Sequence, residues 1–248
     1  MIRDGALQTK DGEIHSFLMI GQSNMAGRGE FQDVAPIENE ACLMLRMGRW
    51  QKMREPINPD RPIFEGRFHS GVSLGASFAD RIAQETGARV GLIPCADGGT
   101  ALREWMPGEV LFDHAVMMTR LAMRSSRLSG ILWHQGESDC RSDGVATYKE
   151  RFIAMMTEMR RVLGDETLPV LIGELAHTYG AEWKMGDAPK QLNRIFYEIA
   201  EELPHCAVVS SEALPLKPDG LHFSASAQRT FGERYAEAYF DLRKRDSE

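Results

Sequence analysis

Along the chain, short uninterrupted apolar runs alternate with stretches that are apolar on one helical face only. Phe17-Leu18-Met19-Ile20 is such a run, and it ends abruptly in Gly21 and small polar residues. A run of this kind reads as a parallel-sheet strand buried on both faces, its carboxyl end opening into a turn. Leu74, Phe78 and Ile82 recur at helical spacing until Gly87 ends the pattern, and residues 89–94 then read as a strand. A second helix is expected from about Phe112 to Ser126, leading into the strand Gly130-Ile131-Leu132-Trp133. Phe152, Met156, Met159 and Leu163 line a third helix, which Gly164 closes before the strand Val170-Leu171-Ile172. Leu192, Ile195, Phe196, Ile199 and Leu203 stripe a fourth, followed by the strand Cys206-Ala207-Val208-Val209. Phe231, Tyr235, Ala238 and Leu242 give the closing helix its buried face, and the methionines on these faces read as core filler.

Five strands separated by helices imply a parallel sheet with right-handed crossovers and helices on both faces, an α/β three-layer αβα sandwich. Residues 28–70 interrupt the alternation. Within them residues 44–53 read as a short hairpin around Gly48, and a loop with Pro56, Pro59 and Pro62 follows. The segment is expected to be an insertion beside the first strand, leaving residues 1–248 as one domain. No internal repeat or low-complexity segment is present.

A chain of 248 residues can bury roughly three quarters of its unfolded surface, so a large core is available. The net charge of -7, with no run of Lys or Arg, argues against nucleic acid or an anionic membrane as a partner. The opening Met1-Ile2-Arg3-Asp4-Gly5 lacks an apolar signal segment and no later run is long enough to span a bilayer, so a soluble, cytoplasmic protein is expected. Oligomeric state is not encoded in any pattern found. Cys42, Cys95, Cys140 and Cys206 are widely spaced with no C-x-x-C pair, which reads as buried reduced thiols rather than a zinc knuckle or disulfide framework.

Four segments at predicted strand ends carry the chemistry, at the sheet edge where α/β folds bind ligands. Gly21 and Gly27 bracket Ser23; taken alone, Ser23 or Asn24 reads as a helix cap, with a nucleophilic serine as the alternative. Gly98-Gly99, after Pro94-Cys95-Ala96-Asp97, reads alone as an ordinary turn, although paired glycines also let backbone N–H groups approach a ligand. The nucleotide patterns G-x-G-x-x-G and G-K-[ST] are absent. His134-Gln135-Gly136-Glu137-Ser138-Asp139 follows an apolar strand, and its spacing matches no metal motif. There the Gln135 amide offers a donor for a developing oxyanion. Cys140 lies beside this segment, but a catalytic thiol needs a nearby base. In Asp219-Gly220-Leu221-His222 the i, i+3 spacing lets the carboxylate reach the imidazole Nδ1, leaving Nε2 to take a proton. A serine nucleophile requires an oriented base and oxyanion donors. All are present.

Gly21-Gln22-Ser23-Asn24-Met25-Ala26-Gly27, Gly98-Gly99-Thr100, His134-Gln135-Gly136-Glu137-Ser138-Asp139 and Asp219-Gly220-Leu221-His222 together resemble the four blocks of the SGNH hydrolases. More narrowly they resemble the sialate O-acetylesterase and acetylxylan esterase-like group, carbohydrate esterase family six, from about residue 16 to 240. The resemblance implies a flavodoxin-like five-stranded parallel sheet, no cofactor, and hydrolysis of acetyl esters on sugars; the motif spacing adds the expectation of no metal, and the lack of an apolar signal segment that of a small carbohydrate substrate. Carried across by motif, Ser23 is the nucleophile, His222 the base and Asp219 its orienting acid, with Glu137 the alternative acid. The oxyanion donors are the Ser23 N–H, the Gly99 N–H (Gly98 the alternative) and the Gln135 amide, which stands where the broader superfamily uses Asn. Arg103, Trp105 and Trp183 are expected at the rim, suited to stacking on and hydrogen-bonding a sugar. Activity is expected to rise with pH through a histidine-like value near ~6.5. The rival readings are an esterase or thioesterase for another small acyl group, which calls for a broad apolar channel, and a non-catalytic carbohydrate-binding protein, which would lack a triad member.

Overall fold

Apolar runs buried on both faces must lie inside a sheet, and the run at Phe17–Ile20 lies at its centre. A computed structural model describes residues 12–59, 69–141, 143–181 and 183–246; Pro62 and the opening residues 1–11 lie outside the described residues. The strands are β1 (Ile14–Gly21), β2 (Cys42–Arg46), β3 (Arg49–Lys52), β4 (Arg89–Pro94), β5 (Arg127–His134), β6 (Val170–Gly173) and β7 (Cys206–Val209). They form one seven-stranded sheet in the order β3-β2-β4-β1-β5-β6-β7. Every pair is parallel except β2 with β3.

The expected five strands are therefore present, but the sheet has seven, not five. The hairpin in residues 28–70 does not sit beside the first strand: β2 pairs with β4, which separates it from β1. Cys42-Leu43-Met44-Leu45 are all buried, so this arm extends the sheet's core. Met47 and Gly48 both have positive φ, 51° and 74°, the two-residue primed turn that suits the twist of a tight hairpin.

The helices are α1 (Ser23–Ala26), α2 (Leu74–Thr86), α3 (Val110–Ala122), α4 (Tyr148–Leu163), α5 (Ala188–Glu202) and α6 (Ala225–Arg245). Gly87 and Gly164 cap α2 and α4 in the left-handed conformation, φ 70° and 81°, as their positions imply. The helix expected at 112–126 ends earlier, at Ala122, because β5 begins at Arg127 and not at Gly130. Gly130 is an interior strand glycine; a Cβ there would meet the Phe17 ring at 3.2 Å. Strand alternation builds the two helical layers. Phe17 meets Phe78 of α2 and Tyr239 of α6 at 4.8 and 5.2 Å. Trp133 points to the other face and meets Phe152 of α4 at 5.5 Å, while the next residue, His134, turns back to Phe231 of α6. Among the described residues no helix is long and apolar enough to cross a membrane.

Candidate active site

β1 lies between β4 and β5, so the turns leaving these three strands converge at one sheet edge. The glycines bracketing Ser23 are required by close packing. At Gly21, φ 130°, a Cβ would fall 2.1 Å from the His134 carbonyl oxygen of β5, and at Gly27, φ 91°, 2.6 Å from the Val72 carbonyl oxygen. The chain can therefore leave β1 tightly and present Ser23 at the first position of α1. Asp97 donates its N–H to the Gly21 carbonyl at 2.9 Å, holding the Gly98-Gly99 loop alongside.

The fourth segment reaches this edge from the start of α6. Asp219 Oδ1 accepts the backbone N–H groups of Leu221 and His222, each at 2.9 Å, and Oδ2 lies 2.8 Å from His222 Nδ1. On the opposite side of the ring, His222 Nε2 lies 2.9 Å from Ser23 Oγ. The three side chains thus form one continuous hydrogen-bonded chain. Burial opposes charge on His222 and holds its pKa below the ordinary 6.5, helped by the nearby Arg28 charge and resisted by Asp219. For Asp219 burial acts upward, yet the hydrogen bonds from the His222 backbone, its ring and Leu221 outweigh it and hold the carboxyl below its usual value.

Glu137, the alternative acid, is buried in the same region but contacts a different partner: its Oε1 accepts from Asn24 Nδ2 at 2.7 Å. His222 Nδ1 is occupied by Asp219.

Gln135 is not where the motif suggested. Its side chain has no exposed surface. Its Nε2 donates to Asp139 Oδ2 at 2.6 Å and to the Thr100 carbonyl at 3.0 Å, while Oε1 accepts from Tyr148 Oη at 2.8 Å. An amide with both hydrogens engaged inside the protein has none left for an oxyanion. Gln135 and Asp139 instead brace the glycine loop, since Asp139 Oδ2 also accepts the Leu102 N–H at 2.9 Å. Burial raises the Asp139 pKa, against the pull of these two donors. Gly98, rather than Gly99, is the glycine packed on the nucleophile. A Cβ on Gly98 would lie 3.5 Å from Ser23 Cβ and 2.7 Å from Arg28 Nη2, whereas one on Gly99 would meet nothing within 4 Å.

The expected rim separates into core and surface. Trp105 is fully buried, donates Nε1–H to Thr100 Oγ1 at 3.0 Å and packs edge-on against Trp133, so it offers no face to a sugar. Its position after the glycine loop resembled a rim, but the 3-10 turn Leu102–Trp105 folds it inward. Arg103, in the same turn, is exposed. Trp183 is 43% exposed, with the Arg141 guanidinium 4.4 Å from its ring centre. All four cysteines are free and buried. Burial pushes the Cys95 thiol up to about 12 and raises Cys140 strongly, which leaves neither as a thiolate nucleophile.

Asn24, read from sequence only as a helix cap, and Asn58, not singled out there, complete the site. Asn24 contacts Glu137, Leu221 and Phe223, and Asn58 exchanges two hydrogen bonds with the Ala96 backbone, tying the loop after β3 to the glycine loop. The available signal was a polar residue inside an apolar turn for Asn24; Asn58 had none. Among the described residues no group of three or more His, Cys, Asp or Glu is arranged to hold a metal ion.

Residues 13–241 match the family model described as carbohydrate esterase, sialic acid-specific acetylesterase. A probable carbohydrate esterase of Arabidopsis thaliana is 31% identical over 243 residues, covering 90% of this chain and 89% of that protein. The X-ray structure of that plant protein superposes with a TM-score of 0.81 at 28% identity, covering 92% of this chain and 98% of the other. NanS superposes at 0.75 with 17% identity, covering 94% and 98% of the two chains. A carbohydrate acetylesterase from Xanthomonas citri superposes at 0.67 with 22% identity, covering 90% of this chain and 55% of that one. The last two likenesses are of fold.

Proposed function

The chain belongs to the carbohydrate esterase family of sialic acid-specific acetylesterases, and from that premise we propose that it removes O-acetyl groups from a small carbohydrate through a Ser23–His222–Asp219 triad and an acetyl-enzyme. The observation that carries this reading is the unbroken chain from Ser23 Oγ through both ring nitrogens of His222 to Asp219, at 2.9 and 2.8 Å. In the proposed reaction Ser23 Oγ attacks the acetyl carbonyl while His222 Nε2 takes the hydroxyl proton. Asp219 keeps the other proton on Nδ1 and stabilises the imidazolium that forms.

The tetrahedral oxyanion is received by backbone N–H groups of Ser23 and of the glycine loop, with Gly98 favoured over Gly99 by its packing against Ser23. Collapse breaks the bond to the sugar oxygen, which takes the proton from His222 and leaves as an alcohol. His222 then removes a proton from water, whose oxygen attacks the acetyl carbon, and acetate departs as the proton returns to Ser23 Oγ. Arg103 and Trp183, both exposed, are assigned to the sugar side of the site, where an aromatic ring and a guanidinium suit a polyol.

The test is pre-steady-state hydrolysis of p-nitrophenyl acetate, with acetate release measured on a panel of acetylated mono- and oligosaccharides. A product burst that vanishes in Ser23→Ala, together with acetate release from at least one sugar, is expected. Equal bursts from wild type and Ser23→Ala would falsify the nucleophile assignment.

A further inference from the structure

Glu137 is a carboxylate buried to 3% exposure that the proposed chemistry does not use. Burial of this kind is tolerable only with good donors; the side chain of Asn24 donates at 2.7 Å, and His134 Nδ1 lies 3.7 Å from the same carboxylate oxygen. Asn24 is itself 1% exposed. Its Nδ2 also donates to the Leu221 carbonyl at 3.2 Å, and its Oδ1 accepts the Phe223 N–H at 3.1 Å. One amide therefore grips the backbone on both sides of His222. Because Asn24 directly follows Ser23, the same side chain links a nucleophile and a base 199 residues apart in sequence. Its backbone carbonyl is held in turn by Gln228 Nε2 of α6 at 3.0 Å.

The orientation of that amide is the critical variable. Phe223 presents a donor and Leu221 an acceptor, so the clamp works only with oxygen towards Phe223 and nitrogen towards Leu221. Glu137 Oε1 accepts from the amide nitrogen at 2.7 Å, and an oxygen turned towards it would find no donor. Glu137 therefore favours the nitrogen-inward orientation. Resting on the triad reading above, we propose that Glu137 is a positioning residue that holds His222 in register with Ser23 through Asn24, and is not the triad acid.

The experiment is a double-mutant cycle on p-nitrophenyl acetate hydrolysis with Asn24→Ala, Glu137→Leu and the combination, alongside Glu137→Gln, Asp219→Asn and Ser23→Ala. A base displaced by about 1 Å costs on the order of 10²-fold. Each single clamp variant is therefore expected to lose about that in kcat with KM within a few-fold of wild type. The double variant is expected to fall no further than the worse single one, since the second change removes nothing once the clamp is open. Losses that multiply overturn the proposal. Glu137→Gln is nearly isosteric, keeps an acceptor for Asn24 and guards against Glu137→Leu failing to fold. It is expected to recover kcat to within about tenfold of wild type, as a hydrogen-bond relay permits. A Glu137→Gln loss as large as that of Asp219→Asn also overturns the proposal. Retained activity in Ser23→Ala would fail the triad reading itself, whereas multiplicative losses with Ser23→Ala dead would fail the clamp alone.

Discussion

Replacing Asp219 by Asn tests the base assignment most sharply, because the surrounding backbone dictates how the new amide must sit. Oδ1 accepts two backbone N–H groups, from Leu221 and His222, at 2.9 Å each. In Asp219→Asn the amide oxygen must take that place, since an NH2 there would face two donors. The NH2 group is then directed at His222 Nδ1, where Oδ2 stood at 2.8 Å. A ring that accepts at Nδ1 carries its proton on Nε2, the atom 2.9 Å from Ser23 Oγ. It then donates where it must accept. In an acyl-transfer triad this wrong tautomer lowers kcat by about 10⁴, on the order of 5 kcal/mol of barrier. The backbone bonds to Oδ1 leave no alternative orientation, so most of that loss is expected here even though the Asp219 side chain is 40% exposed. The assay is single-turnover and steady-state p-nitrophenyl acetate hydrolysis, with circular dichroism confirming that the fold is retained. Activity of Asp219→Asn within tenfold of wild type, alongside an inactive Glu137→Gln, would refute both the tautomer argument and the choice of acid.

The pH profile carries a sign. Only neutral His222 accepts the serine proton, and burial lowers its pKa, so kcat/KM is expected to fall with acid at a midpoint below 6.5, and lower again in Asp219→Asn, where the carboxylate's upward pull is gone. A midpoint above 6.5 in wild type would contradict the burial argument. Gly21→Ala combines a Cβ 2.1 Å from the His134 oxygen with φ 130° and is expected to destabilise by about 3–5 kcal/mol in urea denaturation. Gly99→Ala, with open space at φ 80°, is expected to lose only about 1–2 kcal/mol; equal losses would show that close packing is not what the first glycine serves. Trp105→Ala removes a fully buried ring and is expected to cost about 3–5 kcal/mol of stability. Trp183→Ala should leave the melting temperature nearly unchanged and raise KM for an acetylated oligosaccharide about five- to tenfold, the value of one stacking contact. The same Trp183 variant should leave p-nitrophenyl acetate hydrolysis unaffected, and an equal change on both substrates would remove Trp183 from the sugar side.

Sequence alone determined what is local or periodic. The strand runs, the helical stripes and the left-handed glycines at 87 and 164 follow from spacing and backbone sterics, which act within a few residues. The Asp219–His222 contact was legible for the same reason, because a turn of four residues builds it without help from the rest of the fold. Ser23 was legible as a candidate through its bracketing glycines, yet their cause, the approach of the His134 and Val72 carbonyls, belongs to the packed sheet. Only tertiary structure decided how residues with similar chemistry divide between function and support. Gln135 and Trp105 carry groups suited to an oxyanion and a sugar, but both turn inward to hold Thr100. The 42–52 hairpin extends the sheet because an apolar arm finds the free edge of β4, a pairing no local pattern encodes. Asn24, Glu137 and the backbone around His222 meet across separations of 113 to 199 residues. Contacts at that range depend on the order of the strands and the direction of each loop, and so the distance between nucleophile and base is a property of the fold and not of any segment within it.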